Sequence, residues 1–330
     1  MSLSPKTAID FNEIKQLTLN EAKAVDQLIV QELRSDVILI NEIGRYIVNN
    51  GGKRLRPMLL LLAAKALGEI HQKHLLLAAV IEFIHTATLL HDDVVDESEL
   101  RRGKESANAV WGNAASVLVG DYLYSSAFEM MVRTDNMRVM ALLSKTTTAI
   151  AEGEVLQLLN CNNPETTESK YLEVISRKTA ILFSAATQLA AIISESSSEI
   201  EQALAQYGQH LGIAFQLIDD ALDYTASTEA LGKNLGDDLA EGKPTLPLIY
   251  AIQNSTTQEA NIIINAIKNG NRDAFNDVYT IVQRTQAIVY TENRAEEEAQ
   301  KAITALDILP HSDYKEALIL LAQFAVQRNY

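Results

Sequence analysis

Apolar residues recur at spacings of three and four along almost the whole chain, the period of amphipathic helices rather than strands. The pattern predicts helices over 10–33, 36–49, 55–68, 72–98, 106–132, 134–160, 168–193, 197–224, 244–268, 271–283, 285–306 and 311–327. No stretch shows sustained β alternation. Met58–Ala64 (MLLLLAA) and Leu75–Ile81 (LLLAAVI) are apolar on more than one face, so they belong inside a large bundle or at a contact between subunits. The segment 225–243 (TASTEALGKNLGDDLAEGK) interrupts the pattern with three glycines and many charges, and reads as a polar loop. No fixed-period repeat, low-complexity tract or linker stands out. The expectation is an all-α chain folded as one helical domain over 1–330, with a homodimer as its assembly.

Composition narrows the function more than the fold. The chain has 330 residues, 47% of them hydrophobic, with 14 Gly and 6 Pro, so long helices joined by short connections suit it. Its 28 basic and 43 acidic side chains give a net charge of −15, the wrong sign for a general nucleic-acid binder. A local basic pocket for a phosphorylated ligand stays possible. Cys161 is the single cysteine, which excludes an internal disulfide framework and fits a reducing, cytoplasmic setting. Lys6, Asp10, Glu13 and Lys15 interrupt the N-terminal region, so no secretory signal is expected. The weakly polar stretch 181–193 is too short to span a bilayer and contains Ser184, Thr187 and Gln188. No transmembrane helix is expected.

Two acidic clusters look costly until a cation is added. His91-Asp92-Asp93-Val94-Val95-Asp96-Glu97 ends one long apolar helix, and Asp219-Asp220-Ala221-Leu222-Asp223 ends another. In each, the first and last Asp stand at i and i+4, so their carboxylates share a face and repel. Both clusters lie toward a helix C-terminus, where the backbone dipole favours cations. Either alone could be a solvated helix end. Together they point to magnesium held on carboxylates with positions left for water and phosphate. Neither has the alternating ligands and central glycine of an EF-hand.

Basic groups surround these acids in sequence. Gly51-Gly52-Lys53-Arg54-Leu55-Arg56-Pro57 opens a helix, with glycines that permit close approach, Pro57 suited to a first turn and cations suited to phosphate. Arg101-Arg102-Gly103 follows the first acidic cluster, while Lys178-Thr179, Lys233 and Lys243 stand apart. His85 and His91 flank the first cluster on the same predicted helix. A Walker-A loop is excluded, because no Gly-Lys pair is followed by Ser or Thr.

These motifs resemble those of the trans-isoprenyl diphosphate synthase family. The segments are GGKRLRP (51–57), LLHDDVVDESELRRG (89–103), Gly120-Asp121, Lys178-Thr179, FQLIDDALD (215–223) and GKNLGDDLAEGKPTLP (232–247). Their order and spacing match over nearly the whole chain. GNAASVLVGDYLY (112–124) and AEGEVLQL (151–158) resemble the octaprenyl-forming branch. The two residues between Asp93 and Asp96 resemble long-chain members rather than short-chain bacterial members with four. The resemblance implies an all-helical isoprenoid synthase bundle with a central cavity. It implies that Asp92, Asp96, Asp219, Asp220 and Asp223 hold magnesium bridging an allylic diphosphate such as farnesyl diphosphate. Lys53, Arg56, His85 and Arg102 would hold the metal-free diphosphate of isopentenyl diphosphate. Arg101, Lys178, Thr179, Gln216, Lys233 and Lys243 would contact the allylic diphosphate. The catalytic set implied is Asp92, Asp96, Lys178, Asp219 and Lys233, and the product would supply side chains for ubiquinone or menaquinone.

Chain length adds a steric expectation. Ala87 and Thr88 precede Asp92 by about one helical turn and would face the descending hydrocarbon tail, with Ile84, Phe83 and Ile81 deeper. The small Ala87 favours a long product, and Met131 is the candidate floor of the tunnel. A very apolar product would favour loose contact with a membrane surface. A terpene cyclase on the same fold would leave GGKRLRP and Arg102 unexplained. A non-catalytic subunit of a heteromeric synthase would be expected to lose its acidic motifs. A helical scaffold gives no account of the paired clusters.

Overall fold

The computed structural model describes residues 11–49, 52–225 and 236–327. The chain begins with α1 (Phe11–Gln16), α2 (Leu19–Glu32), α3 (Ile38–Asn49), α4 (Leu55–Ala66) and α5 (Gln72–Val95). A hairpin of β1 (Leu100–Arg101) and β2 (Lys104–Glu105) follows. Next come α6 (Ala107–Trp111), α7 (Asn113–Val132), α8 (Met137–Asn160) and α9 (Glu168–Ile175), then a π-helical turn (Ser176–Ala180) leading into α10 (Ile181–Ile193). The remainder is α11 (Ser198–Thr225), α12 (Asp237–Ala240), α13 (Leu246–Gln253), α14 (Thr257–Asn269), α15 (Phe275–Arg284), α16 (Ala287–Ala305) and α17 (Asp313–Gln327).

The fold is all-α, as the hydrophobic period predicts. α4, α5 and α10 are apolar on most of their surface and form the interior. One core joins α5, α7, α8 and α10, and another joins α4, α10, α11 and α17. By length and composition α5 could cross a membrane, a point the sequence reading passed over; in the fold it lies among other helices.

The differences from the predicted boundaries have local causes. The predicted helix 106–132 breaks at Gly112, whose φ of 83° lies outside the helical region. The predicted helix 244–268 breaks where Thr256 starts a new one, in a capping box with Glu259. The predicted helix 10–33 is divided between α1 and α2. The expected polar loop contains the short α12, and its residues 226–235 lie outside the described residues.

Candidate active site

α5 ends in the first acidic cluster, and its ending shapes the site. Glu97 adopts a left-handed φ of 50°, and the Ser98 N–H donates to Asp93 O at 2.9 Å, closing the last turn. The chain then turns back through the β1–β2 hairpin. Arg102 (φ 55°) and Gly103 (φ 74°) form its two-residue turn, both in the left-handed region that such turns require. This return carries Arg101 and Arg102 back over the acids. Asp93 is buried and accepts from Arg101 Nε at 2.8 Å.

The π-turn presents Lys178 and Thr179. Such turns displace a helix by one residue and frequently mark functional positions. Gly153 of α8 packs against it: a Cβ there would lie 2.7 Å from the Lys178 backbone nitrogen. The next residue, Glu154, accepts from Lys178 Nζ at 2.6 Å, and the same ammonium lies 3.6 Å from Asp92 Oδ2. Beside it, Lys243 Nζ donates to Asp96 Oδ2 at 3.0 Å and pairs with Glu241. Each outer Asp of the first cluster therefore faces an ammonium backed by a second acid.

α11 supplies the opposite acids and a hydrogen-bonded chain. The Thr179 hydroxyl donates to Gln216 Oε1 at 3.0 Å, and Gln216 Nε2 donates to Asp220 Oδ1 at 2.9 Å. Tyr171 OH donates to Asp220 Oδ2 at 2.5 Å. Both Asp220 oxygens thus accept from protein groups. Asp219 and Asp223 line the same cleft.

The cleft holds about 830 Å³. It is bordered by Asp92, Asp96, Asp219, Asp220 and Asp223, by Lys178, Thr179, Gln216 and Lys243, and by Arg101. Lys53, Arg56, His85 and Arg102 form its other end. Arg56 Nη1 lies 3.1 Å from His85 Nε2, and its guanidinium stacks 4.4 Å above the Phe183 ring. A Cβ on Gly52 would lie 2.7 Å from Arg102 Nη1, so the glycine makes room for that guanidinium. Lys233 lies outside the described residues. Of the chain-length positions, Thr88 borders the cleft, whereas Ala87 and Met131 are buried in the core shared by α5, α7 and α8.

Electrostatics divide the cleft in two. At the cation end, burial and the surrounding Arg56, Arg102, Arg101 and Arg54 hold His85 well below the usual histidine range, so it is neutral. Burial pulls Arg56 down to about 10 against the charges of Glu82 and Asp219. At the acid end, burial pushes Glu154 up to about 7 despite Lys178. Burial opposes the charge on Lys178 and Lys243, yet Asp92 with Glu154, and Asp96 with Glu241, more than offset it and raise both. Burial, then Asp238, pushes Asp220 well above the carboxylate range.

Among the described residues no group of three or more acids, His or Cys stands close enough to hold an ion by itself. The donor set still fits magnesium. It offers hard carboxylate oxygens one or two at a time, which suits an ion that completes its shell with water and phosphate oxygens. The ammonium groups of Lys178 and Lys243 sit where positive charge is wanted, beside Asp92 and Asp96.

Four acids escaped the sequence reading as site components: Glu82, Asp93, Glu154 and Glu241. Each is a partner of a cleft cation. Glu82 carried a signal, a lone acid inside the apolar run of α5.

The family model described as Polyprenyl synthetase matches residues 37–283. The chain belongs to the polyprenyl synthetase family. It is 52% identical over 322 residues to octaprenyl diphosphate synthase of Escherichia coli, covering 97% of this chain and 100% of that one. The octaprenyl diphosphate synthase of Haemophilus influenzae is 50% identical over 323 residues, with 98% of each chain covered. A crystal structure of polyprenyl synthase from Caulobacter crescentus, complexed with calcium and isoprenyl diphosphate, superposes with a TM-score of 0.95. It is 43% identical, with 99% of this chain and 100% of that chain covered. Its likeness extends the family assignment to the three-dimensional fold, that of the isoprenoid synthases.

Proposed function

We propose that this chain is a long-chain all-trans polyprenyl diphosphate synthase that makes octaprenyl diphosphate. It adds isopentenyl diphosphate repeatedly to an allylic diphosphate such as farnesyl diphosphate. The prenyltransferase class follows from family membership. The observation that carries the reading is the two-ended cleft, with acids and paired lysines at one end and arginines with a neutral histidine at the other.

Asp92, Asp96 and Asp219, with Asp223, would hold magnesium, whose chemistry there is to bind diphosphate oxygens and stabilise their growing charge. Asp220 is the weakest candidate ligand, because Tyr171 and Gln216 already occupy both of its oxygens. Lys178, Lys243 and Arg101 bind the allylic diphosphate and stabilise it as a leaving group. Lys233 is assigned with them by its place in the family motif. Thr179 and Gln216 orient it. Lys53, Arg56 and Arg102 hold the second diphosphate, and neutral His85 can donate a hydrogen bond to it.

The allylic carbon–oxygen bond then breaks. The double bond of isopentenyl diphosphate attacks the allylic carbon, and a proton leaves the adduct to the departed diphosphate. The cleft holds both partners in position and keeps water from the cation. Ala87, Thr88 and Met131 are the proposed length-setting positions.

We read the chain as one all-helical catalytic unit and as a homodimer. Exposed Leu118 and Val132 on α7, and Val155, Leu158 and Leu159 on α8, are the apolar surface that favours a second copy. The product would serve quinone side chains from a cytoplasmic enzyme with loose membrane contact. Labelled isopentenyl diphosphate with farnesyl diphosphate and magnesium tests the reading. A C40 product is expected. Product confined to C20 or shorter, or none, would overturn it.

A further inference from the structure

Glu82 takes no part in the chemistry proposed above, yet it is an acid placed among cations. It is 6% exposed, lies on α5 and borders the cation end of the cleft. A buried carboxylate is costly, and beside an anion site it opposes binding unless it organises its surroundings.

Its partner is Arg54, whose Nη1 donates to Glu82 Oε1. Arg54 Nη2 donates to Val48 O at 3.1 Å, and its Nε lies 3.6 Å from Asp26 Oδ1. All three guanidinium nitrogens are therefore turned toward protein groups. The Arg54 backbone is the N-cap of α4 in the left-handed region, at φ 48° and ψ 38°. A non-glycine residue holds that conformation at a cost of order 1 kcal/mol, and only where its surroundings enforce it. Lys53 immediately precedes Arg54 and Arg56 follows it two residues on, both on the cleft.

We propose that Glu82 is a positioning residue for the metal-free diphosphate: it clamps Arg54, fixes the left-handed entry to α4, and so presents Lys53 and Arg56 to the anion. This rests on the assignment of that end of the cleft to isopentenyl diphosphate.

The sign of the effect separates this role from simple electrostatics. Removing a negative charge near an anion site should tighten diphosphate binding if charge alone matters. Loss of a positioning clamp should weaken it. In Glu82→Gln the KM for isopentenyl diphosphate is expected to rise roughly ten-fold or more, with the KM for farnesyl diphosphate little changed. Because Glu82→Gln leaves Arg54 without its buried counter-charge and can unfold the chain, the double variant Glu82→Gln/Arg54→Gln is measured beside it, with circular dichroism on both.

A double variant that is folded and shows the same selective rise supports the clamp. A lowered or unchanged KM in the folded single variant overturns it. So does a wild-type KM in the double variant. Arg56→Gln serves as the control for the underlying assignment. If it leaves the KM for isopentenyl diphosphate unchanged, the assignment of that end fails, and the clamp with it. If it raises that KM while the Glu82 variants do not, the clamp alone fails.

Discussion

The Lys178 ammonium lies 3.6 Å from the Asp92 carboxylate, so the π-turn before α10 and the end of α5 meet across the cleft through one charge pair. The shorter contact of Lys178, 2.6 Å, is to Glu154. Were Asp92 to turn to a metal ion, as proposed, Glu154 would be the acid left to keep Lys178 in place. Glu154→Gln keeps the shape and removes that charge. The KM for farnesyl diphosphate is expected to rise several-fold, because an ammonium–carboxylate ion pair becomes a weaker ammonium–amide hydrogen bond. The KM for isopentenyl diphosphate should stay near wild type. Initial-rate kinetics with each substrate varied in turn would check this, and equal effects on both would refute it.

Asp219 and Asp220 are neighbours with different surroundings, and their variants should differ. Asp92→Asn and Asp219→Asn are each expected to cut turnover about a hundred-fold or more, since in the proposed arrangement both carboxylates would hold the magnesium that offsets the negative charge growing on the leaving group. Asp220→Asn should cost less, because Tyr171 and Gln216 already bind its two oxygens. Chelating magnesium should abolish wild-type turnover, and restoring it should return activity. Turnover in Asp92→Asn and Asp219→Asn that matched wild type at every magnesium concentration would remove the metal assignment.

Much of this was legible along the chain, and the rest was hidden for a definite reason. The helical period and both acidic clusters are local signals spanning a few turns, so the sequence displays them directly. The pairing of acids with cations is not local. Lys243 reaches Asp96 across 147 positions, and Arg54 reaches Glu82 across 28. Nothing in the order Asp92-Asp93 says that one Asp faces the cleft and the other grips Arg101. The π-turn was equally hidden, because a one-residue bulge leaves the hydrophobic spacing of 168–193 almost unchanged. The β1–β2 hairpin, at two residues per strand, is too short to show alternation.

Ala87 tests the proposed length-setting wall. It is fully buried beside α7, in the core that contains Ile84, Leu123, Ala127 and Met131. Ala87→Phe must displace some of these, at a cost of about 1–3 kcal/mol. The expected outcome is retained condensation with shorter products, resolved by reversed-phase chromatography of the dephosphorylated alcohols. A product that remains at full length would place the tail elsewhere.

His74 provides a prediction about stability rather than turnover. It is fully buried, its Nδ1 accepts from the His71 N–H at 2.9 Å, and its Nε2 lies 3.3 Å from Ala190 O. The bond to His71 assigns the proton to Nε2, leaving no place for a second proton at Nδ1. Burial lowers its pKa below the ordinary 6.5, the Ala190 carbonyl opposes this, and His71 adds to it. Above pH 6.5 the imidazole is neutral in both folded and unfolded chains, and the fold keeps its full contribution. As pH falls through 6.5 toward the depressed folded value, the unfolded chain takes up a proton that the folded chain resists, so stability falls. Each unit separating the two values is worth about 1.4 kcal/mol at the lower limit. Other titrating groups contribute as well, so the informative quantity is the difference from His74→Gln, which cannot take up that proton. Urea denaturation at pH 7.5 and 5.5 should show wild type losing more stability than the variant over that interval. Parallel losses would mean that His74 is not the group that titrates.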